Sequence, residues 1–267
     1  MADCTHPSWC SVQIGDCTLY HGRAEDIVPT LAPVDALLTD PPWESAGPAI
    51  PRARRGVAAI KDQSLTLARG VIGQWDASMI ALCQSACQGD TFFLSGYKEL
   101  GMLITSLDYY RGTFAWRKPN GYHTLFYPAK MDLAFIVWAA KTSALYGYQH
   151  WPSMVFDVSV PQGGCFAKER LIDATTGKSL HPAQGPLLLY EQLLAPLPLG
   201  TCLDPFMGTG TTGVACVKQG RPFIGIEVRA DYFQMACQRI QETYDQLALF
   251  PRQCSERMHA PTQASLW

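Results

Sequence analysis

Apolar positions along the chain switch between two periods, which predicts alternating strands and helices. Ser11 to Tyr20 alternates weakly and predicts a hairpin or strand. Val34 to Thr39 is a short apolar run that stops at Asp40-Pro41-Pro42-Trp43. Two prolines end any hydrogen-bonded ladder, so a strand followed by a rigid turn is expected. Asp76 to Gln88 places Met79, Ile80, Cys83 and Cys87 on one helical face. Thr91 to Ser95 and Leu133 to Ala139 predict strands, and Gln184 to Ala195 a helix. Thr201 to Asp204 predicts a strand that leads through a glycine-rich turn into a helix ending at Lys218. Pro222 to Glu227 is the next strand. Asp231 to Leu249 is an amphipathic helix with Tyr232, Phe233, Ala236, Ile240, Tyr244 and Leu247 inward. Residues 44–75 and 143–180 lack periodicity and predict loops.

Composition narrows the class. The chain has 267 residues, 48% of them hydrophobic and 16% charged, which excludes a disordered or fibrous chain. Twenty-one basic residues against 23 acidic ones give a net charge of -2. A basic coat over the whole surface is thereby excluded, and any polyanion site must be a local patch. None of the ten cysteines lies in a CxxC pair, so no zinc site is expected, and scattered thiols fit a reduced cytoplasm. The first residues carry no leader pattern, and the longest strongly apolar run, Leu133 to Ala140, is too short to span a bilayer.

Gly208-Thr209-Gly210-Thr211-Thr212-Gly213 fits G-x-G-x-x-G between a strand and a helix. Glycines let a ligand approach the backbone, and the helix start favours a negative group. Glu227 ends the next strand, 19 residues beyond Gly208, where an acid can hold ribose hydroxyls. An ordinary tight turn would explain the glycines alone, but not the strand, turn, helix, strand and acid together. Only 40 residues follow Glu227. Two strands make no stable open sheet, so the others must come from the N-terminal part, and the nucleotide half of the sheet lies at the end of the chain.

Asp40-Pro41-Pro42-Trp43 also ends a strand, at the functional edge of an open α/β sheet. An acid, an exposed carbonyl and a large aromatic suit a flat heterocycle bearing an amino group. A capping Asp before a packed Trp is the plain alternative.

Together, LLTDPPW (37–43) and LDPFMGTGTTGVACVKQGRPFIGIE (203–227) resemble the β class of amino-DNA methyltransferases, in which the catalytic motif precedes the S-adenosylmethionine motif. His181-Pro182-Ala183-Gln184-Gly185-Pro186 is similar to a further segment of that family. The resemblance spans roughly residues 18–43, 75–141 and 181–245. It implies one permuted Rossmann-like α/β methyltransferase domain over residues 1–267. Within it, 44–75 would be a basic loop, 143–180 a small target-recognition region and 181–249 the cofactor-binding half. Two positions depart from the family. Gly185 stands where a Lys is usual, and Arg23 where an Asp would bind the cofactor's adenine, leaving Glu25 or Asp26 for that task.

The resemblance also assigns roles. Asp40, Pro41, Pro42 and Trp43 would be catalytic, with Asp40 and the Pro41 carbonyl accepting both amino hydrogens and Trp43 stacking on an extruded base. Asp26, His181, Gln184, Asp204, Pro205, Phe206, Gly208, Gly210, Thr211, Thr212 and Glu227 would hold S-adenosylmethionine. An acid at the first catalytic position goes with adenine N6, and a Ser with cytosine N4. The implied partner is double-stranded DNA, and a homodimer and a cognate restriction enzyme stay open. Residues 44–75 carry five basic residues, Arg52, Arg54 and Arg55 among them, against two acids. Residues 109–130 interleave Arg111, Arg117, Lys118 and Lys130 with aromatics. Both clusters suit phosphates and unstacked bases, although core aromatics would explain the second.

Three other readings compete. A nicotinamide-dependent oxidoreductase satisfies the glycine pattern but leaves DPPW unexplained. A methylase of RNA or protein would share both motifs. A DNA-binding module without catalysis would fit the departures at Arg23 and Gly185.

Overall fold

The computed structural model describes residues 6, 8–42, 76–123, 130–141, 151, 153–161, 169, 171 and 184–249. Its centre is a nine-stranded sheet with the order β1-β2-β9-β8-β3-β4-β6-β5-β7. The strands are β1 (Cys10–Ile14), β2 (Cys17–His21), β3 (Val34–Thr39), β4 (Cys87–Ser95) and β5 (Tyr110–His123). They continue with β6 (Lys130–Ala140), β7 (Val155–Asp157), β8 (Cys202–Asp204) and β9 (Phe223–Glu227). From β2 to β4 the neighbours run parallel, while β1 pairs antiparallel with β2, and β6 antiparallel with both β4 and β5. The last two strands in sequence thus lie in the middle of the sheet, as the chain-length argument requires.

Helices cover both faces. On one side α4 (Leu187–Leu194), α5 (Thr211–Lys218) and α6 (Ala230–Leu249) bury Leu189, Leu193, Ala215, Ala236 and Ile240 against Leu19, Leu38, Phe92 and Ile136. On the other, α1 (Ala24–Ile27), α2 (Ala77–Ser85) and α3 (Leu100–Ser106) bury Ile27, Ile80, Cys83 and Leu103 against Leu37, Phe93, Val137 and Leu203. Successive strand residues therefore face opposite layers, both dry, which is why the central strands read as continuous apolar runs. This is the mixed α/β, Rossmann-like architecture that the motifs implied.

Several boundaries differ from expectation. Helix α2 ends at Ser85, and Cys87 opens β4, four residues before the predicted strand start. Pro186 caps α4, so Gln184 precedes the helix rather than entering it. Residues 110–123, read as a basic and aromatic segment, form a long strand whose Phe114 and Trp116 are buried, so for these two the core explanation holds. Tyr109 and Tyr110 are exposed, but they lie toward the end of the sheet away from Asp40. Cys10 is disulfide-bonded, unlike the free Cys17, Cys83, Cys87, Cys202, Cys216 and Cys237, and so departs from the expected set of reduced thiols. Among the described residues, no helix is long and apolar enough to cross a membrane. None of their His, Cys, Asp and Glu side chains cluster in threes to hold a metal ion.

Candidate active site

The parallel strands end together on one edge of the sheet, and both motifs emerge there. Strand β8 lies between β9 and β3, with Asp204 opposite Gly225 and Leu203 opposite Leu37. The helices that follow β8 and β3, α5 and α2, pack on opposite faces of the sheet, an arrangement that opens a crevice at the carboxyl ends of the two strands.

The glycine turn follows β8. Gly208 and Gly210 have φ of 52° and 79°, a left-handed backbone that suits residues without a Cβ. A Cβ on Gly210 would come within 2.9 Å of Ala236 on α6. Helix α5 begins at Thr211, and its first turn aims backbone N–H groups at the crevice. Arg239, reaching up from α6, donates from Nη1 to the Thr209 carbonyl, to Thr209 Oγ1 at 3.2 Å and to Thr211 Oγ1 at 3.3 Å. The turn is thereby pinned from below.

Glu227 ends β9 directly beside the turn. Its carboxylate accepts the Arg229 N–H at 2.7 Å, and the Gly208 backbone also bonds to it. Burial outweighs these bonds and pushes the carboxyl up to about 7. On the neighbouring β2, His21 lies opposite Glu227, its ring 5.3 Å from that of Phe233. At the start of α1, Glu25 is paired with Arg23 at 2.7 Å, and Asp26 is exposed.

Asp204, which the resemblance assigns to the cofactor, has both carboxylate oxygens engaged within the protein. One carboxylate oxygen accepts Thr39 Oγ1 at 2.7 Å and the Phe206 N–H at 3.1 Å. The other accepts Thr212 Oγ1 at 2.5 Å. Burial raises its carboxyl to about 6 despite these three donors. Both oxygens face the protein's own donors, so Asp204 is a strut between the end of β3 and the start of α5. Gln184 is engaged in a similar way: its amide accepts the Leu171 N–H at 3.0 Å and donates to the Glu169 carbonyl at 2.7 Å.

Asp40 follows Thr39 and is half-buried, with Pro41 buried behind it. Burial pushes its carboxyl up to about 7, a rise that Lys118 opposes and Asp204 reinforces. A cleft of about 180 Å³ opens beside it, lined by Asp40, Ser95, Glu99, Trp116, Lys118 and Ala134. Strands β5 and β6 make its far wall. Phe135 pairs with Ser95, the last residue of β4, so β6 before it and β5 after Ala115 overhang the edge of the sheet. The overhang brings Lys118 into the cleft with Asp40. Arg117, its exposed neighbour, is paired with Asp157 on β7 at 2.6 Å.

The edge therefore assembles Asp40, Pro41 and Pro42 with Asp204, Pro205, Phe206, Gly208, Gly210, Thr211, Thr212 and Glu227. Trp43, Arg52, Arg54, Arg55 and His181 lie outside the described residues. Sequence reasoning missed the contributions of Thr39 and Arg239. Thr39 stands inside the quoted LLTDPPW and was available to it, whereas Arg239 sits on an amphipathic helix with nothing to distinguish it from a solvated charge.

The chain is similar to known DNA methylases. Residues 108–238 match the family model of the N6/N4-type DNA methylases. The chain is 30% identical over 159 residues to the type II methyltransferase M.HinfI of Haemophilus influenzae, covering 54% of this chain and 43% of that protein. It is 44% identical over 66 residues to the type II methyltransferase M.ScaI of Streptomyces caespitosus, covering 24% and 22%. The matched segments thus span less than half the length of these relatives. Among solved structures, the M1.HpyAVI–SAM complex superposes with a TM-score of 0.59 at 25% identity, over 84% of this chain and 98% of that one. The cytosine-N4-specific PvuII DNA methyltransferase shares the fold, with a TM-score of 0.54 at 16% identity over 86% and 92%. The family model, the two sequence relatives and the shared fold all support an amino-DNA methyltransferase, the family this chain is similar to.

Proposed function

We propose that the protein transfers a methyl group from S-adenosylmethionine to the exocyclic N6 of adenine in double-stranded DNA. The observation that carries this reading is the meeting of the Asp40 turn and the glycine turn on one sheet edge, joined through Asp204. The residues present fit the cofactor. Gly208 and Gly210 leave the backbone bare, the first turn of α5 supplies N–H groups, and Glu227 offers a buried carboxylate for hydroxyls. When bound, S-adenosylmethionine supplies a methyl group on a sulfonium centre that departs as a neutral thioether.

The chain's own part is to hold the acceptor and manage its protons. An exocyclic amino nitrogen shares its lone pair with the ring and is a poor nucleophile. Asp40 and the Pro41 carbonyl accept its two hydrogens, which turns the lone pair out of the ring plane and stabilises charge developing on nitrogen. Once the nitrogen–carbon bond has formed, one amino proton must leave. A carboxylate with a pKa of about 7 accepts it and releases it again near neutrality. An extruded base would enter the cleft beside Asp40, with Trp43 stacking on it. Arg52, Arg54 and Arg55 would follow phosphates.

Methylation of cytosine N4 is the second reading, since both bases present an amino group to the same acceptors. The acid at position 40 favours adenine. The test is to incubate the protein with isotope-labelled S-adenosylmethionine and mixed-sequence DNA, digest to nucleosides and identify the labelled one. Labelled N6-methyladenine is expected; labelled N4-methylcytosine would select the second reading, and no label in either would end both.

A further inference from the structure

The overhang of β5 carries a cation into the cleft. Lys118 lines the same cavity as Asp40, and its Nζ sits 4.3 Å from the ring centroid of Trp116. That ring is 6% exposed and is locked by a bond from its Nε1 to the Val158 carbonyl at 2.7 Å. The ammonium therefore rests on a fixed aromatic platform, half-buried and close enough to Asp40 for the two charges to act on each other. It is held in the cleft that, on the reading above, would receive the base.

We infer that Lys118 reads the target base, donating a hydrogen bond from Nζ to the ring nitrogen next to the amino group. The inference rests on the methyltransferase reading above and adds the identity of the group that recognises the acceptor. Adenine and cytosine share an N=C–NH2 unit: two hydrogens to give on the amino group, one lone pair to receive on the adjacent ring nitrogen. The cleft presents the complement, an anionic acceptor at Asp40 and a cationic donor at Lys118. Thymine carries N–H and C=O in the reverse order, so both groups would meet a like partner.

The same bond directs the chemistry. In an N=C–NH2 unit the ring nitrogen is the better nucleophile, because the amino lone pair is delocalised toward it. An unprotected base would compete for the methyl group at the ring. With Lys118 bonded there, the ring lone pair is occupied and the amino nitrogen attacks. The new bond joins that nitrogen to the methyl carbon, the carbon–sulfur bond breaks with its electron pair staying on sulfur, and one amino proton passes to Asp40. Lys118 keeps its proton throughout.

The experiment first identifies the modified base and its site on DNA, as above. Duplexes are then made with 1-deazaadenine (or 3-deazacytosine) at that position, so that a C–H replaces the ring nitrogen. Wild-type protein should lose about 10–100-fold in kcat/KM on the deaza duplex, the usual effect of one hydrogen bond to a charged group. Lys118→Met should be slower on the natural base, insensitive to the deaza change, and should leave traces of ring-methylated product by mass spectrometry. Lys118→Gln keeps a neutral donor and should retain an intermediate deaza penalty. Should Lys118→Met fail to fold, the wild-type penalty and the Gln variant decide. An undiminished wild-type rate on the deaza duplex, or an equal penalty in wild type and variants, overturns the inference while leaving the methyltransferase reading intact. No methylation of any DNA by the wild type overturns that reading, and this inference with it.

Discussion

The hydroxyl of Thr39 donates to the carboxylate of Asp204 at 2.7 Å, across 165 positions of sequence. Thr39 immediately precedes Asp40, and Asp204 in turn holds Thr212 at the start of α5. One buried carboxylate thus sets the distance between the two turns, and a change in either is felt by the other. Thr39→Val removes a donor to a buried charge without changing shape. It should cost about 1–3 kcal/mol, read as a lower urea midpoint at unchanged slope. It should also slow methyl transfer more than it weakens cofactor binding.

Asp40 should govern the pH profile of the reaction. Only its ionised form accepts amino hydrogens, and burial holds the carboxyl at about 7. The rate at saturating cofactor and DNA should therefore rise with pH through about 7. Asp40→Asn should abolish that rise and lower the rate at least about 100-fold, the scale for losing a preorganised electrostatic group. Calorimetry should show cofactor affinity nearly unchanged. Full turnover by Asp40→Asn would remove Asp40 from the chemistry.

Glu227 links acidity to stability. Its folded pKa of about 7 exceeds that of an exposed glutamate, about 4.3, so folding favours the protonated form. That contribution is complete below the unfolded value and is lost as pH rises through the folded one. Glu227→Gln stays neutral at every pH. Relative to wild type without cofactor, it should gain up to about 3 kcal/mol between pH 4 and pH 8. Parallel denaturation curves at the two pH values would count against this. The same variant should bind S-adenosylmethionine more weakly.

Arg239 should act through the turn it supports. Arg239→Met frees the Thr209 carbonyl and both threonine hydroxyls, so the turn must be ordered by the cofactor itself. Cofactor Kd should rise about tenfold, equivalent to about 1.4 kcal/mol, while kcat at saturation is kept. A fall in kcat with unchanged Kd would instead place Arg239 in the chemistry.

What was legible in the sequence had local punctuation. Strand β3 is bounded by the Asp-Pro-Pro stop, and β8, α5 and β9 by the glycine turn and the closing acid, so their limits came within a residue or two. Helix α3 has seven residues and a glycine, too short for a helical period to register. Strand β5 was obscured because its pairing with β6 slips between Arg117 and Tyr122, and Pro119 interrupts the alternation. The cleft was invisible for another reason: its walls are β3, β4, β5 and β6, and no local pattern tells that β5 overhangs Asp40. Nor could the departure at Gly185 be read in isolation. A Cβ there would come within 2.5 Å of the Tyr190 ring, so the space that a longer residue would need is filled by an aromatic five positions on.

The place of β8 and β9 in the middle of the sheet also bears on how the molecule comes to exist. Strand β2 pairs with β9, and β3 with β8, so the bonds that join the first hairpin to the rest cross about two hundred residues. Until residues 202–227 have been made, β2 and β3 lack the partner strands they pair with in the fold. Contacts of such long range make folding slow, and bare edges invite association with other chains. A truncation before β8 would remove more than the glycine turn. It would leave the opening hairpin with nothing to pair with, and Asp40 at the rim of a sheet missing its neighbour.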